Sequence, residues 1–183
     1  MEQVIISSYN AEWMQDYEHE QKKIRYSFES LPVFLEHIGS SAVPGMDSKP
    51  TIDMMAGVEE LSLVNETIIQ RLDEIGYEYV HKPEFPERLF FRKGKWRAGT
   101  HHLHVYKFKG PHWINQLLFR DYLKSHEEVK QEYNRLKKKL QAAHTYDRVA
   151  YTEGKSDFII QTIQQAREDK ELIARLHSKG LIL

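Results

Sequence analysis

Two short stretches hold most of the side chains that could do chemistry. The first runs from His37 through Ile-Gly-Ser-Ser-Ala-Val-Pro-Gly to Lys49-Pro-Thr-Ile-Asp53. A strand running into Gly39-Ser40 turns sharply there. Glycine lets a ligand approach the backbone, and the hydroxyls and amides of Ser40 and Ser41 offer hydrogen bonds to a phosphate. A glycine followed by serines is also ordinary turn chemistry. Asp53 is the more informative residue, because strands are depleted in Asp and a charge in an apolar strand needs a partner. That partner is either an arginine or a metal ion.

The second stretch is Thr100-His-His-Leu-His-Val-Tyr106. Strand side chains alternate, so His102 and His104 share one face and His101 shares the other with Leu103. Two imidazoles at i and i+2 on a rigid strand suit one divalent ion, with a carboxylate such as Asp53 completing the set. The competing reading is a pair of hydrogen-bonded histidines on a polar sheet face. His37 adjoins the Gly-Ser turn and could join either role. Arg88, Arg92 and Arg97 flank the central strands, Arg120 lies on a helix after Trp113, and Lys155 sits near the start of a late helix. Guanidinium groups pair with phosphate in bidentate fashion and lysine acts as a point charge. A cation at a helix N-terminus opposes the helix dipole, so Lys155 calls for a nearby anion.

Composition narrows the classes. The 183 residues carry 26 Lys+Arg against 27 Asp+Glu, a formal charge of −1. That balance argues against a nucleic-acid partner. With no cysteine, disulfide scaffolds, zinc ribbons, iron–sulfur sites and thiol nucleophiles are excluded. The longest apolar runs fall far short of the roughly 20 residues a membrane span needs. The first residues lack the features of a signal peptide, which reads as a cytoplasmic protein.

These residues need elements to position them. Asn10 predicts a cap for a helix bearing Trp13, Met14, Tyr17, Ile24 and Phe28, limited by Pro32 beyond Ser30. Val33 to Ile38 reads as a buried strand, and Thr51 to Val58 as a strand with Ile52, Met54, Ala56 and Val58 on its core face. A crossover helix is expected over about Ser62 to Ile75, stopped by Gly76. Three strand-like pieces follow near 77–82, 88–93 and 101–108. Beyond Gly110-Pro111 the pattern is helical. Ser125 with Glu128 has the spacing of a capping box for a helix bearing Val129, Tyr133, Leu136 and Leu140. Lys137, Lys138 and Lys139 fan around that helix and read mainly as a solvated face, with a phosphate contact the minority reading. Thr152 predicts the cap of one long last helix ending near Gly180. The sum is a single α+β domain over 1–183, with a mixed five-stranded sheet in about 1–110 and a helical part in about 111–183.

The ordered motifs His37-Ile-Gly-Ser-Ser-Ala-Val-Pro-Gly, Lys49-Pro-Thr-Ile-Asp53, Thr100-His-His-Leu-His-Val, Phe119-Arg-Asp-Tyr-Leu and Tyr151-Thr-Glu-Gly-Lys-Ser-Asp-Phe resemble the GrpB-like family of bacterial proteins, over about 13–166. That family is grouped with the nucleotidyltransferases, of DNA-polymerase-β-like fold. The resemblance implies that Gly39, Ser40 and Ser41, with Lys49, Arg92, Arg120 and Lys155, contact phosphate. For the superfamily it implies magnesium held by strand carboxylates; here the transfer reading makes Asp53 and His104 catalytic and puts a divalent ion (Mg, Mn or Zn) at Asp53, His102 and His104. A related domain fused to dephospho-CoA kinase adds a pointer to nucleotides. The superfamily pattern wants a second acid two residues after the first, where this chain has Met55, and histidines stand where a third acid would come from a later strand. One aspartate does not obviously hold two metal ions. Two readings therefore stay open: metal-dependent nucleotidyl or phosphoryl transfer from a nucleotide or other phosphorylated small molecule, or a noncatalytic nucleotide- or CoA-binding module.

Overall fold

The computed structural model describes residues 3–29, 31–95 and 98–183, so Ser30 and Arg97 of the sequence reading lie outside the described residues. Helix α1 (Glu12–Ser27) begins after Asn10, whose Oδ1 accepts from the Glu12 amide at 2.9 Å. Five strands follow: β1 (Phe34–Ile38), β2 (Ile52–Val58), β3 (Tyr77–Tyr79), β4 (Leu89–Lys95) and β5 (Ala98–Lys107). They form one mixed sheet in the order β1-β2-β5-β4-β3, in which β2 and β5 pair in parallel and the other neighbours are antiparallel.

Strand alternation splits the sheet's two faces cleanly. Ile52, Met54, Ala56 and Val58 point to the face covered by α1 and by α2 (Glu66–Glu74), where Trp13, Ile24, Phe28 and Leu72 complete a buried cluster. Met55 and Tyr106 point the other way, against Trp113 and Leu117 of α3 (Pro111–Ser125). Gly57 makes that packing close. A Cβ there would lie 2.8 Å from the Trp113 ring, so a side chain and this tryptophan exclude one another. Helix α4 (Glu127–Ala143) joins the segment after the Gly-Ser turn to α3 through Val43, Met46, Phe119 and Tyr133.

Three departures from the sequence reading follow side-chain hydrogen bonds that outweigh the apolar pattern. The crossover helix starts at Glu66, not near Ser62, because Asn65 caps it by accepting from the Ile68 amide; Leu61–Leu63 form a 3-10 turn instead. Gly76 stops it with φ +90°. The Ser125–Glu128 capping box does not form: Ser125 ends α3, and its hydroxyl accepts from Arg175 at 2.9 Å. The expected last helix is three helices, α5 (Arg148–Glu153), α6 (Ser156–Glu168) and α7 (Lys170–Ser178). Asp147 and Asp169 cap α5 and α7, while Thr152 lies inside α5 and donates to the Arg148 carbonyl. No helix among the described residues is long and apolar enough to cross a membrane.

Candidate functional site

β1 ends at Ile38, and Gly39 takes φ +69°, ψ −170°, a conformation essentially confined to glycine. The chain then makes a 3-10 turn over Ser40–Ala42 and returns as β2, placing Asp53 beside the glycine. That turn is too short to contribute a helix dipole. Because β2 and β5 are parallel and Asp53 is in register with His102, the carboxylate and both imidazoles rise from the same face of adjacent strands.

Asp53, His102 and His104 converge. One ligand atom from each lies within 4.8 Å of the others, and His102 Nδ1 is 2.9 Å from Asp53 Oδ1. Burial works to raise the Asp53 carboxyl, yet the His102 hydrogen bond and the electrostatic pull of His102, His104 and Lys155 outweigh it and hold it below the usual carboxylate range. Burial pushes His104 down to about 4, against the pull of Asp53. At neutral pH the aspartate is therefore ionised and His104 carries an unprotonated ring nitrogen, the state that metal ligation requires. Arg88 Nη1 lies 3.5 Å from Nδ1 of His104. A carboxylate with two imidazoles suits a single transition-metal ion and leaves coordination positions open for phosphate oxygens or water.

Lysines gather at the turn. Lys137 of α4 is only 3% exposed; it donates to Ser40 Oγ at 3.3 Å and to the Asp47 carbonyl. Burial lowers its ammonium to about 7, with the neighbouring Asp47 opposing the shift. Lys155 occupies the N-cap of α6, where burial also lowers its ammonium and Asp53 pulls it back up. Its Nζ and that of Lys49 lie 4.6 and 4.7 Å from the centroid of the buried Tyr151 ring. For this lysine, odd on dipole grounds from sequence alone, Asp53 is the carboxylate whose charge favours the ammonium form.

Other residues of the sequence reading fall elsewhere. His37 points to the opposite sheet face from Asp53: it is in register with Met54, stacks on Tyr17 at 4.8 Å, and places Nε2 3.0 Å from Ser41 Oγ. It braces the turn and does not join the Asp53–His102–His104 cluster, and burial lowers it to about 4, so the brace is uncharged. Arg120 is a correction as well. Its guanidinium is consumed by Asp121, Glu36 and the His37 carbonyl, a buried ion-pair network that stitches α3 to β1 and leaves no fork for phosphate. Arg92 is paired with Glu78 and lines a cleft beside His102 together with Lys49.

Lys137 is the residue the sequence reading undervalued. The signal was its spacing: four residues after Tyr133, it falls beside the helix's apolar stripe, and its Nζ lies 4.9 Å from that ring. Tyr151, the ring on which two lysines rest, is in the sequence only part of a motif.

The GrpB protein family model matches residues 3–165. The chain belongs to the GrpB family. The UPF0157 protein YqkA of Bacillus subtilis is 32% identical over 180 residues, 98% of this chain, although the chain spans only 51% of YqkA's length. The crystal structure of conserved protein GrpB from Enterococcus faecalis has a TM-score of 0.81 to it at 32% identity, covering 88% of this chain and 96% of that one. The α+β architecture is thus that of a GrpB protein. Cid1, in complex with its short product ApU, is more remote, with a TM-score of 0.47 at 14% identity over 67% of this chain and 39% of Cid1, and adds no argument.

Proposed function

We propose that this GrpB protein is a metal-dependent nucleotide-binding protein whose chemistry is nucleotidyl or phosphoryl transfer. The observation that carries the reading is the convergence of Asp53, His102 and His104 to within 4.8 Å at the lip of the Gly39 turn. Asp53, His102 and His104 hold the ion, and a transition ion such as Mn or Zn fits two imidazoles better than Mg does. Ser40, with Lys137 and Lys155, cradles phosphate oxygens. The bound ion supplies Lewis-acid neutralisation of phosphate charge. In the transfer an acceptor hydroxyl oxygen bonds to the phosphorus, the bond from that phosphorus to the bridging oxygen of the leaving phosphate breaks with its electron pair on that oxygen, and the hydroxyl proton passes to solvent water.

One observation favours the second reading, a noncatalytic nucleotide- or CoA-binding module. Met55, two residues after Asp53 on the same strand face, is fully buried against Ile38 and Trp113, where a second carboxylate would otherwise stand. Two-metal chemistry has no anchor there.

Untagged protein titrated with Mn, Zn and Mg, then melted with ATP, GTP, CTP, UTP or CoA, tests both. Nucleotide at about 100 times its Kd raises stability by roughly 2.7 kcal/mol, several degrees for a chain of this size. The expected result is a metal-dependent shift that Asp53→Asn abolishes while the fold persists. Release of phosphate or pyrophosphate in the presence of an acceptor selects transfer; binding without release selects the module. Wild-type protein that binds none of the three metals overturns the reading.

A further inference from the structure

Glu36 and His37 of β1 line a cleft of about 500 Å³ to which α1, α3 and the end of α7 also contribute. Four Lys or Arg side chains and two carboxylates stand in it, a formal excess of two positive charges. Both carboxylates are already engaged. Arg120 holds Glu36 at 2.5 Å and Asp121 at 2.7 Å, so the excess rests on Lys124, Arg175 and Lys179. Lys124 reaches Asp121 only at 3.8 Å, on the same Oδ1 that Arg120 engages. Arg175 donates to the Ser125 hydroxyl, a neutral partner, and Lys179 makes no ion pair among the described residues. Burial lowers the Lys124 ammonium, and Arg120 and Lys179 add to that lowering against the pull of Asp121 and Glu36. Lys124 and Arg175 in turn help Arg120 to hold the Asp121 carboxyl down against burial. The three cations thus share one electrostatic neighbourhood. Helix dipoles favour each of them singly, since they lie in or just beyond the last turns of α3 and α7. A dipole does not bring two helix ends to one cleft.

A buried polar atom adds to the cations. His37 is 4% exposed and lines the cleft with Tyr17, on which it stacks. Its Nδ1 has no hydrogen-bond partner, the one such buried side-chain atom among the lining residues. The Ser41 hydroxyl beside Nε2 has no other side-chain or backbone acceptor among the described residues. Donation from that hydroxyl to Nε2 leaves the proton of the neutral ring on Nδ1, as an unspent donor. Two ammoniums, a guanidinium and a neutral N–H suit a compact dianion whose tetrahedral oxygens accept from several sides at once. We propose that this cleft binds a phosphate dianion, free or as the monoester of a small molecule. The site is distinct from the Gly-Ser turn, since Asp53, Lys137 and Lys155 are not among its lining residues, and it stands independently of the function proposed above.

The test is calorimetric titration of the whole chain in EDTA with inorganic phosphate and with glycerol 3-phosphate, glycerol being the uncharged control. Saturable one-to-one binding of a phosphate-bearing probe is expected, weakening as salt screens the cations. The probe with the lower Kd identifies the source as free phosphate or a monoester. Lys124→Gln with Lys179→Gln, which spares the Arg120 ion pairs, should raise Kd at least tenfold while the melting curve stays cooperative. If that pair fails to fold, Lys179→Gln alone should raise Kd at least threefold. Lys155→Gln, at the Gly-Ser turn, should leave Kd unchanged. Absence of saturable binding, indifference to the lysine substitutions in the cleft, or loss of binding in Lys155→Gln would each overturn the proposal, the last by moving the anion to the turn.

Discussion

Gly39 and Asp53 are built against one another: a Cβ on the glycine would stand 2.9 Å from Asp53 Oδ2 and 3.2 Å from its Cβ. The glycine is thus required twice, by its left-handed φ of +69° and by the carboxylate at its flank. Gly39→Ala should cost about 1–3 kcal/mol of stability from backbone strain. Because relief comes by moving Asp53, it should also weaken Mn or Zn binding about tenfold or more. Denaturant unfolding and metal titration of the same sample check both; a destabilised variant with wild-type metal affinity would separate the turn from the carboxylate.

Lys137 is a buried cation whose ammonium is lowered to about 7 by burial. Between that value and its ordinary 10.5 the unfolded chain holds more protons than the folded one, so this group makes stability rise with pH across that window. Below about pH 7 the full cost of burying the charge is present. Lys137→Met should be neutral or stabilising by about 1–4 kcal/mol in ligand-free protein near pH 7. It should also flatten the rise in stability above pH 7 and cancel the nucleotide-induced shift in Tm. Urea unfolding at pH 7 and pH 9, with and without ATP and Mn, reads all three.

Glu20 on α1 is 4% exposed and bonded to Lys23, Lys93 and the Tyr77 hydroxyl at 2.8–3.0 Å. Burial works to raise its carboxyl, but these partners prevail and hold it at about 2. A depressed carboxylate contributes stability that is fully present above its ordinary value of 4.5 and is lost as pH falls from there toward 2. The shift corresponds to about 3 kcal/mol. Glu20→Gln should therefore lower wild-type stability by about that much at pH 7 and by much less at pH 2.5, as measured by urea midpoints at the two pH values.

Arg120 joins Glu36 and Asp121 in a buried network and also donates to the His37 carbonyl at 2.8 Å. Removing one member of such a network strands the others, a loss of about 3–5 kcal/mol. Arg120→Met should show that loss in denaturant unfolding, while the variant that remains folded at low temperature keeps the wild-type Kd for nucleotide. A selective rise in Kd without loss of stability would return Arg120 to the phosphate site.

The sheet and the convergence of Asp53 with His102 and His104 were legible because both depend on period-two alternation: once β2 and β5 are strands, the three can share a face, and only the order β1-β2-β5-β4-β3 had to make those two strands neighbours. What the sequence hid came from long-range packing. Only its spacing from Tyr133 distinguishes Lys137 from Lys138 and Lys139 until α4 lies against the Gly-Ser turn, and Arg120 looks available until Glu36 of β1 faces it. The helix breaks were obscured for a related reason. Apolar periodicity runs through Gly154, where a Cβ would strike Leu140 at 2.5 Å, and through Asp169, whose side chain caps the next helix.

The parallel pairing of β2 with β5 has a consequence for how the protein comes together. Asp53 meets a residue 49 positions later in the chain, and Ser40 meets one 97 positions later. Neither the cation cradle nor the carboxylate–imidazole set exists in a local hairpin or helix pair, and their loop-closure entropy is spent before any contact at the site forms. Assembly of this cluster is therefore a whole-chain property, and a nascent or nicked chain lacking α4 would hold Asp53 without the lysine that faces its turn.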